Sequence, residues 1–257
     1  MQLLTSQLKS HIMKEGLASS IHAWLNNLTA IIIITLFILP ITLIMSLNWL
    51  NPPISSYMLG YELSGTKNPL HYQWKSLDEI AASAPQAIIT AKDQLFSKHD
   101  GIDFKQLTHA FDKYPKESSI FGTSAITKQT VRNLFLWNNK SMLSNGLESW
   151  LTLLMETSLD KKRILEIYLN IVEFTPGIYG IEAASQRFLY KPANKLTDSD
   201  AALLATLLSN PELYQQINPR SALVEDRQRW IMDQMKALDL SELLVENDGQ
   251  NVQAGLF

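Results

Sequence analysis

The chain has 257 residues, of which 46% are hydrophobic and 18% charged, and its formal net charge is −3 at pH 7. This length suits one domain of ordinary core size together with an unusually apolar segment, and the charge gives no general attraction to nucleic acid. The chain has no cysteine, which excludes disulfides, thiol catalysis and cysteine-ligated metals.

An uncharged apolar run lies near the N-terminus. No Asp, Glu, Lys or Arg occurs between Glu15 and Glu62, and residues 28–50 are almost wholly apolar. About 20 such residues span the hydrocarbon core of a bilayer. A cleaved signal peptide is the main alternative, but the run is long for one and no small-x-small cleavage site follows it. A buried core helix is the other alternative. We predict a transmembrane anchor over 28–50.

The basic residues beside this run predict its orientation. Lys9 and Lys14 lie close on its N-terminal side, and no cation follows closely on the other side. Because lysine and arginine favour the cytoplasmic side of a membrane, we predict that residues 1–27 are cytoplasmic. The sequence therefore predicts a single-pass protein of the inner membrane whose main domain lies outside the cytoplasm, in the periplasm.

The rest of the chain predicts a mainly α domain. We predict a linker over 51–71, because Pro52 and Pro53 cannot continue the anchor helix, then a domain over 72–245 and a disordered tail over 246–257. No convincing strand series is present. Apolar residues at helical spacing predict helices from residue 83 onward, around 143–154, over 161–170, from 197 through 208 and from 222 to 238. The inward positions on the second and third of these are Leu143, Leu147, Trp150, Leu151 and Leu154, and Ile164, Leu165, Tyr168 and Leu169.

Two polar regions lie in the first half of this domain. On the helix that begins near residue 83, Lys92, Phe96 and His99 would share one face. Residues 112–129 mix Ser, Thr, Gly, Lys and Pro. That composition predicts a long loop, and long loops in compact domains are usually functional or mobile.

Three motifs follow one another in the second half of the chain. They are Lys161-Lys162-Arg163-Ile164-Leu165-Glu166-Ile167-Tyr168-Leu169-Asn170, Pro176-Gly177-Ile178-Tyr179-Gly180-Ile181-Glu182-Ala183-Ala184-Ser185, and Ala201-Ala202-Leu203-Leu204-Ala205 with Asn210-Pro211. With these motifs in order behind a single anchor, residues 72–230 resemble the monofunctional biosynthetic peptidoglycan transglycosylases. These belong to the same glycosyltransferase family as the glycosyltransferase domain of bifunctional penicillin-binding proteins.

The resemblance implies a fold and a reaction. It implies a lysozyme-like, mostly helical glycosyltransferase domain behind one N-terminal transmembrane helix, which polymerises lipid II into glycan strands. The acceptor sugar hydroxyl would attack the anomeric carbon of the growing chain while a polyprenyl diphosphate leaves. Such chemistry needs a carboxylate base near the acceptor hydroxyl. It also needs cations at the diphosphate, from side chains or from a divalent metal such as Mg²⁺ or Mn²⁺.

The sequence departs from the family at the groups that carry this chemistry. The family's first motif begins with Glu-Asp, and here Lys92 replaces the glutamate base beside Asp93. The third motif is Arg-Lys-x-x-Glu, and here Ser144 and Asn145 replace both cations while Glu148 is retained. One of two carboxylates is therefore kept, and the pair of diphosphate-binding cations is lost.

The candidate site residues follow from this alignment of motifs. The second motif is partly kept, with Ser124, Thr127 and Gln129 at positions that match substrate-binding residues of the family. Lys161 matches a family lysine that lines the cleft. The catalytic candidates are Glu148, Lys92 in place of glutamate, and Asp93, and the substrate-binding candidates are Ser124, Thr127, Gln129, Asn145 and Lys161. The alternatives that the residues leave open are a solvated helix lysine at Lys92 and a surface carboxylate at Glu148.

Lys92 is a poor replacement for the base. A lysine with a pKa near 10 is protonated at neutral pH unless desolvation lowers that pKa by several units. We expect Asp93 and Glu148 to favour the charged amine, and we predict an ion pair, direct or through water, between Lys92 and Glu148. Asp93 itself, one residue further along a helix, would point about 100° away from the position of Lys92.

Three hypotheses follow from the sequence. The chain is an active glycosyltransferase with a displaced base, or a relative without catalysis that binds lipid II, nascent glycan or a partner in cell-wall synthesis or division, or an envelope protein that keeps only the fold. The chemistry of Lys92 favours the second hypothesis. Lipid II polymerisation by the purified protein is the measurement that separates the first from the others.

Overall fold

The structure, a computed structural model, describes residues 24–66, 68–97, 125–136, 142–209 and 222–238, with no account of the side chains of 142 and 143. The chain divides into two compact units, Met1–Ser46 and Leu47–Phe257. Ser124, His99 and the tail over 246–257 lie outside the described residues, so the predictions that concern them stay predictions.

In the part of the first unit that the structure describes, residues 24–46, one helix, α1 (Trp24–Ser46), is long and apolar enough to cross a membrane. This agrees with one N-terminal anchor, although the helix begins and ends about one turn earlier than the predicted 28–50. A π-helical turn covers Ile34–Ile38, where the N–H of Leu39 bonds to the carbonyl of Ile34. Pro40 follows at once, and its ring would clash with the carbonyl four residues earlier in a regular α-helix. The wider turn accommodates that ring.

The second unit is mainly α, as predicted. Its longer elements are α2 (Ser56–Leu63), β1 (His71–Tyr72), α3 (Ser83–Lys92), α4 (Ala125–Phe135), α5 (Met142–Ser158), α6 (Lys161–Ile171), β2 (Glu173–Thr175), β3 (Ile178–Tyr179), α7 (Ile181–Leu189), α8 (Asp198–Ser209) and α9 (Ala222–Ala237). Helices α3, α8 and α9 pack together, and so do α4, α5 and α6. The inward residues predicted on α6 are confirmed, since Ile164, Leu165, Tyr168 and Leu169 are all 0% exposed.

A three-stranded sheet, which the sequence did not predict, joins the two helix groups. Its order is β1-β3-β2, with β1 parallel and β2 antiparallel to β3. Gly180 follows β3 with φ +82°, and a Cβ there would lie 2.4 Å from the carbonyl oxygen of Asn170. The buried Asn170 side chain accepts from the N–H of Lys75 and donates to its carbonyl, both at 2.7 Å. These motif residues therefore build the scaffold between α6 and the sheet.

Several helix boundaries differ from the predictions. Helix α3 ends at Lys92, so the shared helical face of Lys92 and Phe96 is wrong: Asp93 leaves the helix with φ −162°, ψ 78° and the following turn places Phe96 in the core. The loop predicted over 112–129 is wrong for its last five residues, because α4 begins at Ala125. The region predicted as a linker over 51–71 contains α2, which packs against α4. The domain boundaries themselves remain predictions.

The buried face of α5 is also rotated from the one predicted. Leu147 is 37% exposed, whereas Glu148 and Thr152 are buried beside Leu151 and Met155. The prediction assigned the inside of the helix to its leucines. In the structure, the polar side chains of Glu148 and Thr152 face inward instead, and each forms a hydrogen bond there.

Candidate active site

Glu148 is the retained carboxylate, and it lies on the buried side of α5 with 2% of its surface exposed. Its Oε2 accepts a hydrogen bond from Nη2 of Arg132, on α4, at 2.7 Å. Its Oε1 is buried and has no hydrogen-bond partner among the described residues. Since buried carboxylate oxygens normally accept a hydrogen bond, Oε1 is the position at which a further donor would be favoured.

Lys92, at the position of the family's base, is directed to another part of the unit. Its Nζ donates to the carbonyl of Leu208, in the last turn of α8, at 3.1 Å. The last carbonyls of a helix lack intrahelical partners and carry partial negative charge. Lys92 therefore caps α8. The predicted direct ion pair with Glu148 is wrong, because Arg132 pairs with Glu148 and Lys92 bonds to Leu208.

The direction in which the pKa of Lys92 is shifted also differs from the prediction. Burial lowers the pKa of Lys92, and the positive charge of Arg227 on α9 lowers it further. The sequence predicts that neighbouring carboxylates favour the charged amine. The direction is opposite because Glu148 is paired elsewhere and the amine lies where α3, α8 and α9 pack together.

Asp93 is the residue at which α3 ends. Its N–H bonds to the carbonyl of Ile89 at 2.8 Å, and its carbonyl accepts the N–H of Phe96 at 3.0 Å. These backbone bonds form the turn that carries Phe96 inward, to 0% exposure. The backbone of Asp93 thus shapes the site, and its assignment as a catalytic residue remains a prediction.

A second polar cluster lies among α4, α5 and α6. Thr127 donates to Oε1 of Glu156, and Lys161 Nζ lies 2.7 Å from Oε2 of the same carboxylate. The Glu156 side chain is 1% exposed and that of Lys161 is 19% exposed. The Lys161 amine also lies 4.6 Å from the centre of the Phe96 ring. Two predicted substrate-binding residues, Thr127 and Lys161, are therefore brought together through Glu156, which the sequence analysis missed.

The other substrate-binding candidates are separate from this cluster. Gln129, on α4, accepts a hydrogen bond from the hydroxyl of the buried Tyr168 at 3.0 Å. Asn145 is exposed on the first turn of α5. Gln129 therefore helps to hold α6 in place, and Asn145 lies at the surface.

Arg132 and Glu156 are the main residues that sequence reasoning missed. Arg132 lies three residues before Phe135, the aromatic end of α4, and Glu156 lies five residues before Lys161. Glu156 is a charge inside a largely apolar stretch, and that was the available signal for it, because a charge buried in a core is normally paired.

The family resemblance implies cations at the diphosphate, either from side chains or from a divalent metal. Within the described ranges, no group of three His, Asp or Glu side chains is arranged to hold a metal ion. Glu148, the carboxylate that matches the family's motif, is already faced by the Arg132 guanidinium. Among the described residues, the positive charge next to Glu148 is therefore supplied by the Arg132 side chain.

Comparisons with known proteins agree with the motifs. Residues 60–236 match the family model described as Transglycosylase. The biosynthetic peptidoglycan transglycosylase of Shewanella amazonensis is 43% identical over 218 residues, which cover 84% of this chain and 88% of the relative. The protein of the same name from Shewanella oneidensis is 39% identical over 232 residues, covering 90% and 97% of the two chains. The one from Mannheimia succiniciproducens is 43% identical over 196 residues, covering 74% and 80%.

Proposed function

Since the chain belongs to the peptidoglycan transglycosylase family, whose model covers residues 60–236, we propose that it binds lipid II or nascent glycan but has lost most of the family's catalysis. The observation that carries the proposal is the environment of Lys92. The position that should hold a carboxylate base holds an amine that donates to the carbonyl of Leu208.

Proton transfer is the first step affected. The acceptor hydroxyl must lose its proton as it attacks the anomeric carbon, and a positioned base typically contributes about 10²–10⁴ in rate. Lys92 uses its amine to cap α8. Glu148, the retained carboxylate, has one oxygen already engaged in a hydrogen bond with Arg132.

Departure of the diphosphate is the second step affected. The positions of the family's two cations hold the neutral side chains of Ser144 and Asn145. Arg132 supports retained binding, because its side chain is 42% exposed and only one of its guanidinium nitrogens is bonded to Glu148. A guanidinium with further N–H groups directed to solvent can bind a phosphate oxygen.

A second candidate function has one observation in its favour. Burial and Arg227 lower the pKa of Lys92, so the neutral amine is more accessible than in an ordinary lysine. A slow transferase that uses Lys92 as its base is therefore the alternative. Such an enzyme would become faster as the pH rises toward the lysine pKa, whereas an inactive protein would show no such increase.

The experiment measures lipid II polymerisation and lipid II binding by the full-length protein, with an active family enzyme as control. We expect binding with little or no polymerisation from pH 7 to 9. Lys92→Glu alone should restore little, and Lys92→Glu with Ser144→Arg and Asn145→Lys should restore more. Turnover like that of the control enzyme would exclude the loss of catalysis, and loss of binding in Arg132→Gln would support the role of that guanidinium.

The cellular setting is part of the proposal. The apolar helix α1 is compatible with a single-pass anchor. Lys9 and Lys14 support a cytoplasmic N-terminus in the inner membrane, with the second unit in the periplasm. There it would meet lipid II, nascent glycan and proteins of cell-wall synthesis or division.

A further inference from the structure

A pocket of about 370 Å³ opens between β1 and α7. It is lined by residues 70–73 around β1, by Ile178 of β3, and by Ala183, Gln186 and Arg187 of α7, none of which belongs to the candidate active site. Pockets that bind small ligands have volumes of about 300–1,000 Å³ and combine apolar walls with a few polar groups. This pocket is therefore large enough for a small ligand or for one end of a larger one.

The sheet and α7 each present one face to the pocket. His71 and Ile178 are register partners in the parallel pair β1–β3, so their side chains lie on the same face of the sheet. Ala183, Gln186 and Arg187 are spaced i, i+3 and i+4, so they share one face of α7. Ile178 is 5% exposed, whereas His71 and Arg187 are exposed. The pocket therefore has apolar surface inside and polar groups at its rim.

Arg187 supplies the positive charge of the pocket. In the described part of the chain, its guanidinium takes part in no ion pair and no hydrogen bond. Glu182, on the same helix, is buried and accepts instead from Gln186 Nε2 at 2.6 Å and from the N–H of Ala193 at 2.8 Å. A guanidinium with unused N–H groups can bind a carboxylate through two parallel hydrogen bonds.

The edge of β1 offers backbone groups to a ligand. β1 is an edge strand, and the N–H of His71 donates to the carbonyl of Gly177 at 2.8 Å. Successive residues of a strand direct their N–H and C=O groups to opposite edges, so those of Tyr72 point to the open edge. Tyr72 lines the pocket. A ligand that contains an amide group can therefore pair with the backbone there.

Contacts within the second unit hold β1 in place. The hydroxyl of Tyr72 donates to the carbonyl of Pro52 at 2.9 Å. The segment before Pro52 is clamped by Arg163, in the first turn of α6, which donates to the carbonyls of Leu47 at 2.6 Å and Leu50 at 2.9 Å. The wall of the pocket formed by β1 is therefore pre-formed, which lowers the entropic cost of binding.

A group of tyrosines lies between the pocket and the Arg132–Glu148 pair. Tyr179 is the register partner of Tyr72, and its hydroxyl donates to the carbonyl of Tyr57 at 3.4 Å. Burial raises the pKa of the Tyr57 hydroxyl, and the charges of Arg132 and Glu148 act on that pKa in opposite directions. The pocket and the pair therefore flank the same tyrosines.

We propose that the pocket between β1 and α7 binds the carboxyl end of a short peptide that has small apolar side chains. Arg187 holds the carboxylate, Ile178 and Ala183 contact the side chains, and the backbone of Tyr72 pairs with an amide of the peptide. One guanidinium balances one carboxylate, whereas a diphosphate carries more negative charge than the pocket offers positive charge.

The source of this peptide is lipid II or nascent glycan, whose sugars carry a short peptide that ends in D-alanine. That source rests on the proposed function, whereas the preference of the pocket for a peptide carboxylate does not.

The first test uses acetyl-D-alanyl-D-alanine and its C-terminal amide as probes of the full-length protein in detergent, with affinities from saturation-transfer NMR titrations. We expect the carboxylate form to bind about tenfold more tightly than the amide, and Arg187→Gln to remove this difference, because the variant loses a hydrogen bond to a charged group. Arg229→Gln is the matched control. It changes an exposed arginine of α9 that pairs with Asp226, and it should bind both probes like wild type.

Three results would overturn the proposal. Equal affinity of wild type for the carboxylate and the amide, or unchanged binding in Arg187→Gln, would exclude a carboxylate site. Tighter binding of inorganic phosphate than of the dipeptide would make the pocket a general anion site. Tighter binding of acetyl-L-alanyl-L-alanine would assign the pocket to the carboxyl end of a protein rather than to a cell-wall peptide.

A second measurement separates the pocket from the proposed function. Lipid II with free peptide carboxylates should bind Arg187→Gln about tenfold more weakly than wild type, and lipid II with amidated carboxylates should bind both equally. If Arg187→Gln lost affinity for the dipeptide but not for lipid II, the peptide of lipid II would not be the source. If wild type bound no lipid II, the proposed function would fail, while the dipeptide titration would still decide the pocket.

Discussion

At the scale of single residues, the two side chains of the Arg132–Glu148 pair differ in their exposure to solvent. The Glu148 side chain is 3% exposed and that of Arg132 is 42% exposed. The carboxylate has therefore lost most of its hydration, while the guanidinium keeps contact with water. Removing Arg132 leaves a buried charge without a partner, whereas removing Glu148 leaves a cation that water can still solvate.

The first prediction concerns the coupling between these two side chains. In an Arg132→Ala/Glu148→Ala double-mutant cycle, we expect a coupling of about 1–2 kcal/mol, less than for a fully buried pair because Arg132 is partly in water. The matched Lys92→Ala/Glu148→Ala cycle should show no coupling beyond about 0.5 kcal/mol. Urea unfolding measures both cycles. Coupling of equal size in the two cycles would contradict the assignment of partners.

The second prediction concerns the pH dependence contributed by Lys92. Its folded-state pKa is lowered, so between that pKa and the unfolded value near 10.4 the unfolded chain binds more protons and stability rises with pH. At pH values below the folded-state pKa, the charged amine of Lys92 destabilises the folded protein because it is buried. As the pH rises above that pKa, the amine loses its proton in the folded state and this destabilisation disappears. Compared with Lys92→Met, wild type should therefore gain melting temperature between pH 7 and pH 10. A constant difference across that range would show that the pKa is unshifted.

At the scale of elements, the turn between β3 and α7 depends on one glycine. Gly180 adopts φ +82° and its N–H bonds to the carbonyl of Val172 at 2.9 Å. A Cβ added to Gly180 would lie only 2.4 Å from the carbonyl oxygen of Asn170. The backbone conformation and the close approach both exclude a side chain, so this turn sets how closely α7 follows the sheet.

The third prediction tests that turn. Gly180→Ala should destabilise the protein by about 1–3 kcal/mol or more, because strain and a backbone clash act together. Gly60→Ala is the control, since a Cβ there meets nothing within 4 Å and the residue is helical, which should make the change neutral or stabilising by roughly 0.5–1 kcal/mol. Thermal unfolding compares the two variants. A Gly180→Ala variant as stable as wild type would contradict this account of the turn.

The elements also show what the sequence could predict. Helix α6 was predicted in register, because its apolar residues keep helical spacing and all face one core. The partner of Lys92 could not be predicted, because Leu208 is 116 residues away and contributes a backbone carbonyl, which no side-chain pattern reveals. The sheet was missed because strands of two or three residues are too short to show an alternating pattern. Motifs placed Glu148 at the site but could not identify Arg132 as its partner.

At the scale of the whole molecule, the proposed topology gives a fourth prediction. A reporter that is active only outside the cytoplasm, fused after residue 240, should be active if Lys9 and Lys14 keep the N-terminus inside as proposed. Moving two lysines to the other side of α1, in place of Asn48 and Asn51, should lower that activity. A cytoplasm-only reporter that is active in the wild-type fusion would reverse the topology.

The clamp made by Arg163 has a consequence for the order in which the chain folds. Its bond to the carbonyl of Leu47 joins residues 116 positions apart. At a synthesis rate of about 5–20 residues per second, Leu47 is made roughly 6–23 s before the arginine that holds it. Throughout that interval the turn at residues 47–50 has no partner from α6. The carbonyls of Leu47 and Leu50 therefore gain their arginine donor only late in synthesis, after α6 has been made.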